Sequence, residues 1–113
     1  MQDKLNKIVQ ADCLEYLREL PDGCCDMILS DPPYGVNYKN DFYNDSADFV
    51  KIESIKWLAE FYRTLKNGSH CYIFTGTKSL NLWLTNIENS GFEFKNIINM
   101  PSYCNGQIGR AHV

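Results

Sequence analysis

Apolar residues along this chain fall into two rhythms, and turn residues mark most of the changes between them. Residues 7–11 (KIVQA) read as a short strand, after which Leu14, Leu17 and Leu20 follow at helical spacing. Asp12 is suited to cap that helix, and Pro21-Asp22-Gly23 to end it. Residues 26–30 (DMILS) form a compact apolar run of the kind buried inside a parallel sheet. Strand, helix and strand in this span predict a βαβ unit. Residues 35–48 (GVNYKNDFYNDSAD) keep no period and predict a long loop, and loops of that length are usually functional or mobile. Residues 49–66 then predict an amphipathic helix with Ile52, Ile55, Leu58, Ala59, Tyr62 and Leu65 on its apolar face, closed by Asn67-Gly68. A strand over 70–75 follows. The next helix has Leu80, Trp83, Leu84 and Ile87 on one face, is capped by Thr77 or Ser79, and leads to a last strand over 92–100. The alternation predicts an α/β, doubly wound sheet.

Composition narrows this picture only a little. At 113 residues the chain holds one small domain, and 44% hydrophobic residues suit a packed core. A net charge of −3 gives no general basic signature for nucleic acid, which counts mildly against nucleic-acid binding by this segment alone and does not exclude a basic surface on another. The five cysteines, Cys13, Cys24, Cys25, Cys71 and Cys104, lack zinc-ligand spacing. They read as reduced thiols of a cytoplasmic protein, with no metal expected. Neither a signal peptide nor a membrane-spanning run is expected, so the protein reads as soluble and intracellular.

Chemistry concentrates where the 26–30 strand ends, at Asp31-Pro32-Pro33-Tyr34. Open α/β sheets build their sites at the carboxyl ends of strands. A nucleobase amino group is a poor nucleophile because its lone pair is delocalised into the ring. The Asp31 carboxylate can accept one of its N–H bonds and the Pro32 carbonyl the other. That arrangement favours a pyramidal nitrogen and stabilises the positive charge it develops. Pro32 and Pro33 stiffen the loop and hold the carbonyl in place beforehand. Tyr34 offers a ring for a flipped-out base to stack on. The competing structural reading is a strand-ending turn, since Asp and Pro are common there.

Taken with Ala11-Asp12-Cys13-Leu14-Glu15 and Leu20-Pro21-Asp22, this motif resembles the DNA amino-methyltransferases that modify adenine N6 or cytosine N4, in their permuted class. Residues 68–76 and 91–98 resemble that family's following strands. The resemblance implies a Rossmann-like S-adenosylmethionine-dependent methyltransferase sheet, here incomplete. It implies double-stranded DNA as partner, restriction–modification as setting, and Asp31, Pro32, Pro33 and Tyr34 as catalytic residues. S-adenosyl-L-methionine is the implied cofactor, with Asp12 near its adenine ring, the Cys13 backbone beside it, and Asp31 at its reactive end. Asp12 as a helix N-cap is the structural alternative, and both roles can hold together. Aspartate rather than serine at the first motif position points to adenine N6, with cytosine N4 as the alternative.

The departures from the family are specific. No FxGxG-type glycine loop occurs to cradle the cofactor's methionine part, and no recognition region is present. Asn99, Met100 and Pro101 stand where family members often carry Trp-x-Lys. The family topology separates the strands bearing Asp12 and Asp31 by two central strands from its C-terminal part. The chain alone is therefore expected to be marginally stable and inactive. Residues 1–107 are expected to be a partial catalytic domain. Residues 108–113 (IGRAHV), which match a translated short-read sequencing adapter, are expected to be a non-native tail. A dimer of the full-length enzyme is compatible with the family.

His70 reads as a strand-edge residue, and His112 falls in the expected tail. Tyr38, Phe42 and Tyr43 read equally as closing over a base or as packing onto the next helix. Lys39, Lys51, Lys56 and Arg63 read as a dispersed, solvated set. Two rivals stay open: an RNA or protein N-methyltransferase, and a non-catalytic fragment acting as an interaction module.

Overall fold

The computed structural model describes residues 2–100 and the backbone of 110–112. The helices are α1 (Cys13–Arg18), α2 (Ala47–Thr64) and α3 (Leu80–Asn89). The strands are β1 (Cys25–Ser30), β2 (Leu65–Thr75), β3 (Ile98–Met100) and β4 (Arg110–His112). The sheet runs in the order β1-β2-β4-β3. β1 and β2 are parallel, with Ile28 opposite Cys71 and Ser30 opposite Ile73. β4 lies antiparallel between β2 and β3. The fold is thus mixed α/β around a small parallel pair, and its βαβ unit is β1-α2-β2, not the one expected over residues 7–30. β4 lies inside the hexapeptide expected to be foreign to the protein.

The expected strand over 7–11 does not form. Ile8 is fully exposed, Val9 is exposed, and the segment carries no regular structure. The segment pairs with no strand among the described residues, and its exposed Ile8 and Val9 find no apolar face to anchor them on the open outer edge of β1. The final strand is likewise shorter than expected. Only Ile98–Met100 pairs, because β4 reaches no further along it.

Local chemistry explains the helices that do form. The Asp12 carboxylate accepts the Glu15 N–H at 3.1 Å and caps α1, as expected. Ser46 Oγ accepts the Phe49 N–H at 3.1 Å, starting α2 two residues earlier than the pattern predicts. Ser79 sits at the start of α3 but does not cap it with its side chain. Its hydroxyl instead meets Thr75 Oγ1 at 3.0 Å, tying the helix start to the end of β2.

The inward face of α2 differs from the expected one. Val50, Ser54, Leu58 and Phe61 are buried, whereas Ile52, Ile55 and Tyr62 are 59%, 54% and 53% exposed. Ser54 can be buried because the Asn86 side-chain amide of α3 donates to its hydroxyl at 2.8 Å. The core joins Leu17, Leu20, Val50, Leu58, Phe61, Ile73, Trp83 and Ile87, with Trp57 stacked on Trp83. All three helices meet in that core, which includes Ile28 and Cys71 of the sheet at its margin. Met27 and Leu29 alternate onto the opposite sheet face and are exposed. Helices therefore cover one face of the sheet, where a doubly wound fold covers both.

Arg63 is not a solvated member of a dispersed set. Its guanidinium donates to the Leu17 and Leu20 carbonyls at 2.8 Å each, and to Asp22 and Glu60 at 2.6 Å each. It caps the end of α1 from α2.

Candidate active site

β1 delivers Asp31 at its carboxyl end beside the carboxyl end of β2. The Tyr34 ring lies over Gly76, where a Cβ would stand 3.7 Å from Tyr34 Cδ2. The Tyr34 hydroxyl donates to Asp31 Oδ1 at 2.9 Å, which closes the tetrapeptide on itself. A cavity of about 660 Å³ lies above the motif, lined by Asp31, Pro32, Pro33, Tyr34, Val36, Tyr38, Tyr43 and Asp45. The structure therefore brings the four motif residues together, and adds two tyrosines of the following loop to the same cavity. Phe42, by contrast, is almost fully exposed and does not line it. Tyr38 and Tyr43, though exposed, both line it.

Side-chain acceptors hold the 35–45 loop. The Asp45 carboxylate is 4% exposed and accepts three backbone N–H bonds, from Gly35 at 2.9 Å, Val36 at 3.2 Å and Tyr38 at 2.8 Å. Its own carbonyl accepts the Asn37 N–H at 2.8 Å. Asn40 Oδ1 accepts from Phe42 and Tyr43, and Asn37 Oδ1 from Ala47. Gly35 at φ +80° and Asn37 at φ +59° turn successive N–H groups inward, forming a nest for an anion that Asp45 fills. Sequence reasoning missed Asp45, Asn37 and Asn40. The signal available was the density of Asn and Asp in the stretch, since these side chains replace backbone acceptors in turns.

Asp12 and Cys13 stand at the start of α1, both exposed, and neither lines the cavity over Asp31. Partial desolvation, then the Asp12 charge, push the Cys13 thiol above its ordinary range. The Cys24 and Cys25 sulfurs lie 3.6 Å apart as free thiols, and burial raises the Cys25 pKa, with Cys24 adding to it. Among the described residues no group of His, Cys, Asp and Glu could hold a metal ion, and no helix is long and apolar enough to cross a membrane. Cys104 and Pro101 lie outside the described residues, as do the side chains of Met100 and His112. His70 is exposed on β2, its ring 6.2 Å from that of Tyr72.

A second cavity, of about 680 Å³, opens along β2 between Tyr62, His70, Tyr72 and Phe92. It follows the part of β2 that no strand pairs on that side among the described residues, and it holds none of the motif residues. The cavity over Asp31 is the one that holds the motif residues.

Residues 25–110 match the family model of the N6/N4 type described as DNA methylase. The chain is 33% identical over 102 residues to Type II methyltransferase M.BamHI of Bacillus amyloliquefaciens, covering 83% of this chain and 23% of that protein. It is 32% identical over 77 residues to Type II methyltransferase M.HpaI of Haemophilus parainfluenzae, covering 66% and 24%. Putative methylase YubD of Escherichia coli (strain K12) is 26% identical over 92 residues, covering 78% and 39%. The chain spans about a quarter of the length of the two type II enzymes.

Proposed function

Because the chain belongs to the N6/N4-type DNA methylase family, we propose that the protein carrying it transfers a methyl group from S-adenosylmethionine to the N6 amino group of adenine in double-stranded DNA. The observation that carries this reading is the cavity over Asp31–Tyr34, whose acceptors and rings suit a planar base bearing an amino group. Asp31 instead of serine at the motif's first position favours adenine over cytosine. The sheet is read as part of a Rossmann-like methyltransferase fold, and the setting as restriction–modification in a bacterial cytoplasm.

Asp31 acts as the acceptor for one amino N–H. The Tyr34 hydroxyl already occupies Oδ1, which leaves Oδ2 for the base. That bond also fixes the carboxylate's rotation before the base arrives. The Pro32 carbonyl, fixed by the Pro32-Pro33 backbone, accepts the second N–H. Together they draw positive charge toward the carboxylate as the nitrogen becomes tetrahedral. Tyr34 supplies a stacking face.

The cofactor supplies an electrophilic methyl group when bound. The donor set here fits part of it. The Asp12 carboxylate, with Oδ2 committed to the Glu15 N–H, and the Cys13 backbone would hold the adenosine end. For the methionine end the sequence offers no glycine cradle. The 113-residue chain assayed by itself is accordingly expected to show no methyl transfer.

The test is to treat unmethylated bacteriophage DNA with the protein from the complete reading frame and S-adenosylmethionine, then analyse the nucleosides by mass spectrometry. N6-methyladenine is expected. N4-methylcytosine would overturn the choice of base, and an unmodified digest would overturn the function.

A further inference from the structure

We propose that Asp45 is a positioning residue of the base pocket: it holds the 35–45 loop so that Tyr38 and Tyr43 form the wall facing Asp31-Pro32-Pro33-Tyr34. This rests on reading that cavity as the base pocket, and it assigns the residues that complete it. A carboxylate removed from water is costly unless donors surround it. Asp45 meets that requirement with three N–H groups drawn from four consecutive residues, Gly35, Val36 and Tyr38. Charge-assisted bonds of this kind are among the strongest a loop can form. Their geometry determines where Val36 and Tyr38 emerge, directly after the motif.

The far end of the loop is fixed by a different device. The Asn40 side chain accepts both the Phe42 and Tyr43 N–H groups, at 2.8 and 2.9 Å, so Tyr43 leaves a tight turn with a set direction. Asp45 follows two residues later and leads directly into the Ser46 cap of α2. One buried carboxylate thus links the motif, the loop and the helix that crosses to β2. Tyr38 and Tyr43 themselves keep much of their surface in solvent, being 63% and 49% exposed. Large aromatic residues held in a defined loop yet left solvent-facing, beside a cavity containing a third tyrosine, are suited to gripping a planar ligand.

The experiment measures kcat and KM for methyl transfer to unmethylated bacteriophage DNA, using the protein from the complete reading frame. Variants are Asp45→Asn, Tyr38→Ala, Tyr43→Ala and Asp45→Asn with Tyr43→Ala, with Asp31→Ala as control. Loss of correctly folded enzyme lowers kcat and leaves KM in place, whereas loss of the wall raises KM. Asp45→Asn and Tyr43→Ala are each expected to raise KM for DNA about 10-fold, the scale of one lost base–aromatic stack. The double variant is expected to be no worse than Asp45→Asn, because Asp45 acts through the wall. Wild-type KM in Asp45→Asn, or effects that multiply in the double variant, would overturn the proposal. Should Asp45→Asn fail to fold, the exposed Tyr38→Ala and Tyr43→Ala carry the test, and wild-type KM in both overturns it. Full activity in Asp31→Ala would remove the base-pocket reading itself, and the assigned wall with it.

Discussion

Gly35→Ala puts the connection between the motif and the core to a quantitative test. Gly35 holds φ +80°, and a Cβ there would lie 3.2 Å from Val50 Cβ and 3.3 Å from Val50 Cγ1. Val50 is fully buried, so it has no free volume to move into. The left-handed conformation costs an alanine about 1–2 kcal/mol, and the overpacking adds about 1–3 kcal/mol. Lower chain entropy in the unfolded state returns roughly 0.4–1 kcal/mol. The net expectation is a loss of about 1–5 kcal/mol. Gly23→Ala provides the reference, because Gly23 also has a positive φ, +59°, with nothing within 4 Å of its would-be Cβ. The assay is urea unfolding followed through Trp57 and Trp83 fluorescence. Gly35→Ala should lie about 1–3 kcal/mol below Gly23→Ala, the packing contribution alone. Equal losses at the two positions would refute the claim that the turn after Tyr34 is wedged against α2.

Other consequences are as direct. Arg63→Ala should lower the melting temperature and speed proteolysis within α1, because the Leu20 carbonyl loses its side-chain donor and the Leu17 carbonyl keeps only backbone ones; Arg63→Lys should rescue it poorly, since one ammonium cannot copy the fork. A partial loss confined to salt-sensitive stability would argue against the capping role. Burial pushes the Cys71 thiol up to about 12, so it should stay protonated and resist alkylation in the folded protein at pH 8. Because its folded pKa is raised, this contribution to stability is fully present below the ordinary thiol range near 9 and is lost as pH rises toward 12. Rapid labelling of Cys71 at pH 8, mapped by mass spectrometry, would contradict its burial.

Legibility in the sequence followed the range of the interaction involved. The Asp31–Tyr34 motif at a strand's end, the strands of β1 and β2 with a helix between them, the Asp12 cap, and Trp83 and Ile87 on the inward face of α3 all rest on neighbours in sequence. The inward face of α2 does not. That helix carries two interleaved apolar stripes, one through Val50, Leu58 and Phe61 and one through Ile52, Ile55 and Tyr62. Helical spacing cannot choose between them. The choice comes from Val50 meeting Gly35 and from Asn86 satisfying Ser54, both contacts between distant segments. Residues 7–11 have strand character yet pair with no strand among the described residues, because Ile8 and Val9 gain no buried surface there to support it. Asp45 stayed hidden because a loop aspartate looks the same whether it faces water or a nest of backbone N–H groups.

The central claim is that Asp31 accepts the amino hydrogen bond that makes a base nitrogen nucleophilic. Transfer of a radiolabelled methyl group from S-adenosylmethionine to unmethylated DNA, by the protein from the complete reading frame and its Asp31→Ala variant, tests it most directly. Asp31→Ala should lose at least about 100-fold in kcat, the scale of one lost electrostatic contact in a transition state, with folding intact. Equal rates for the two proteins would contradict it.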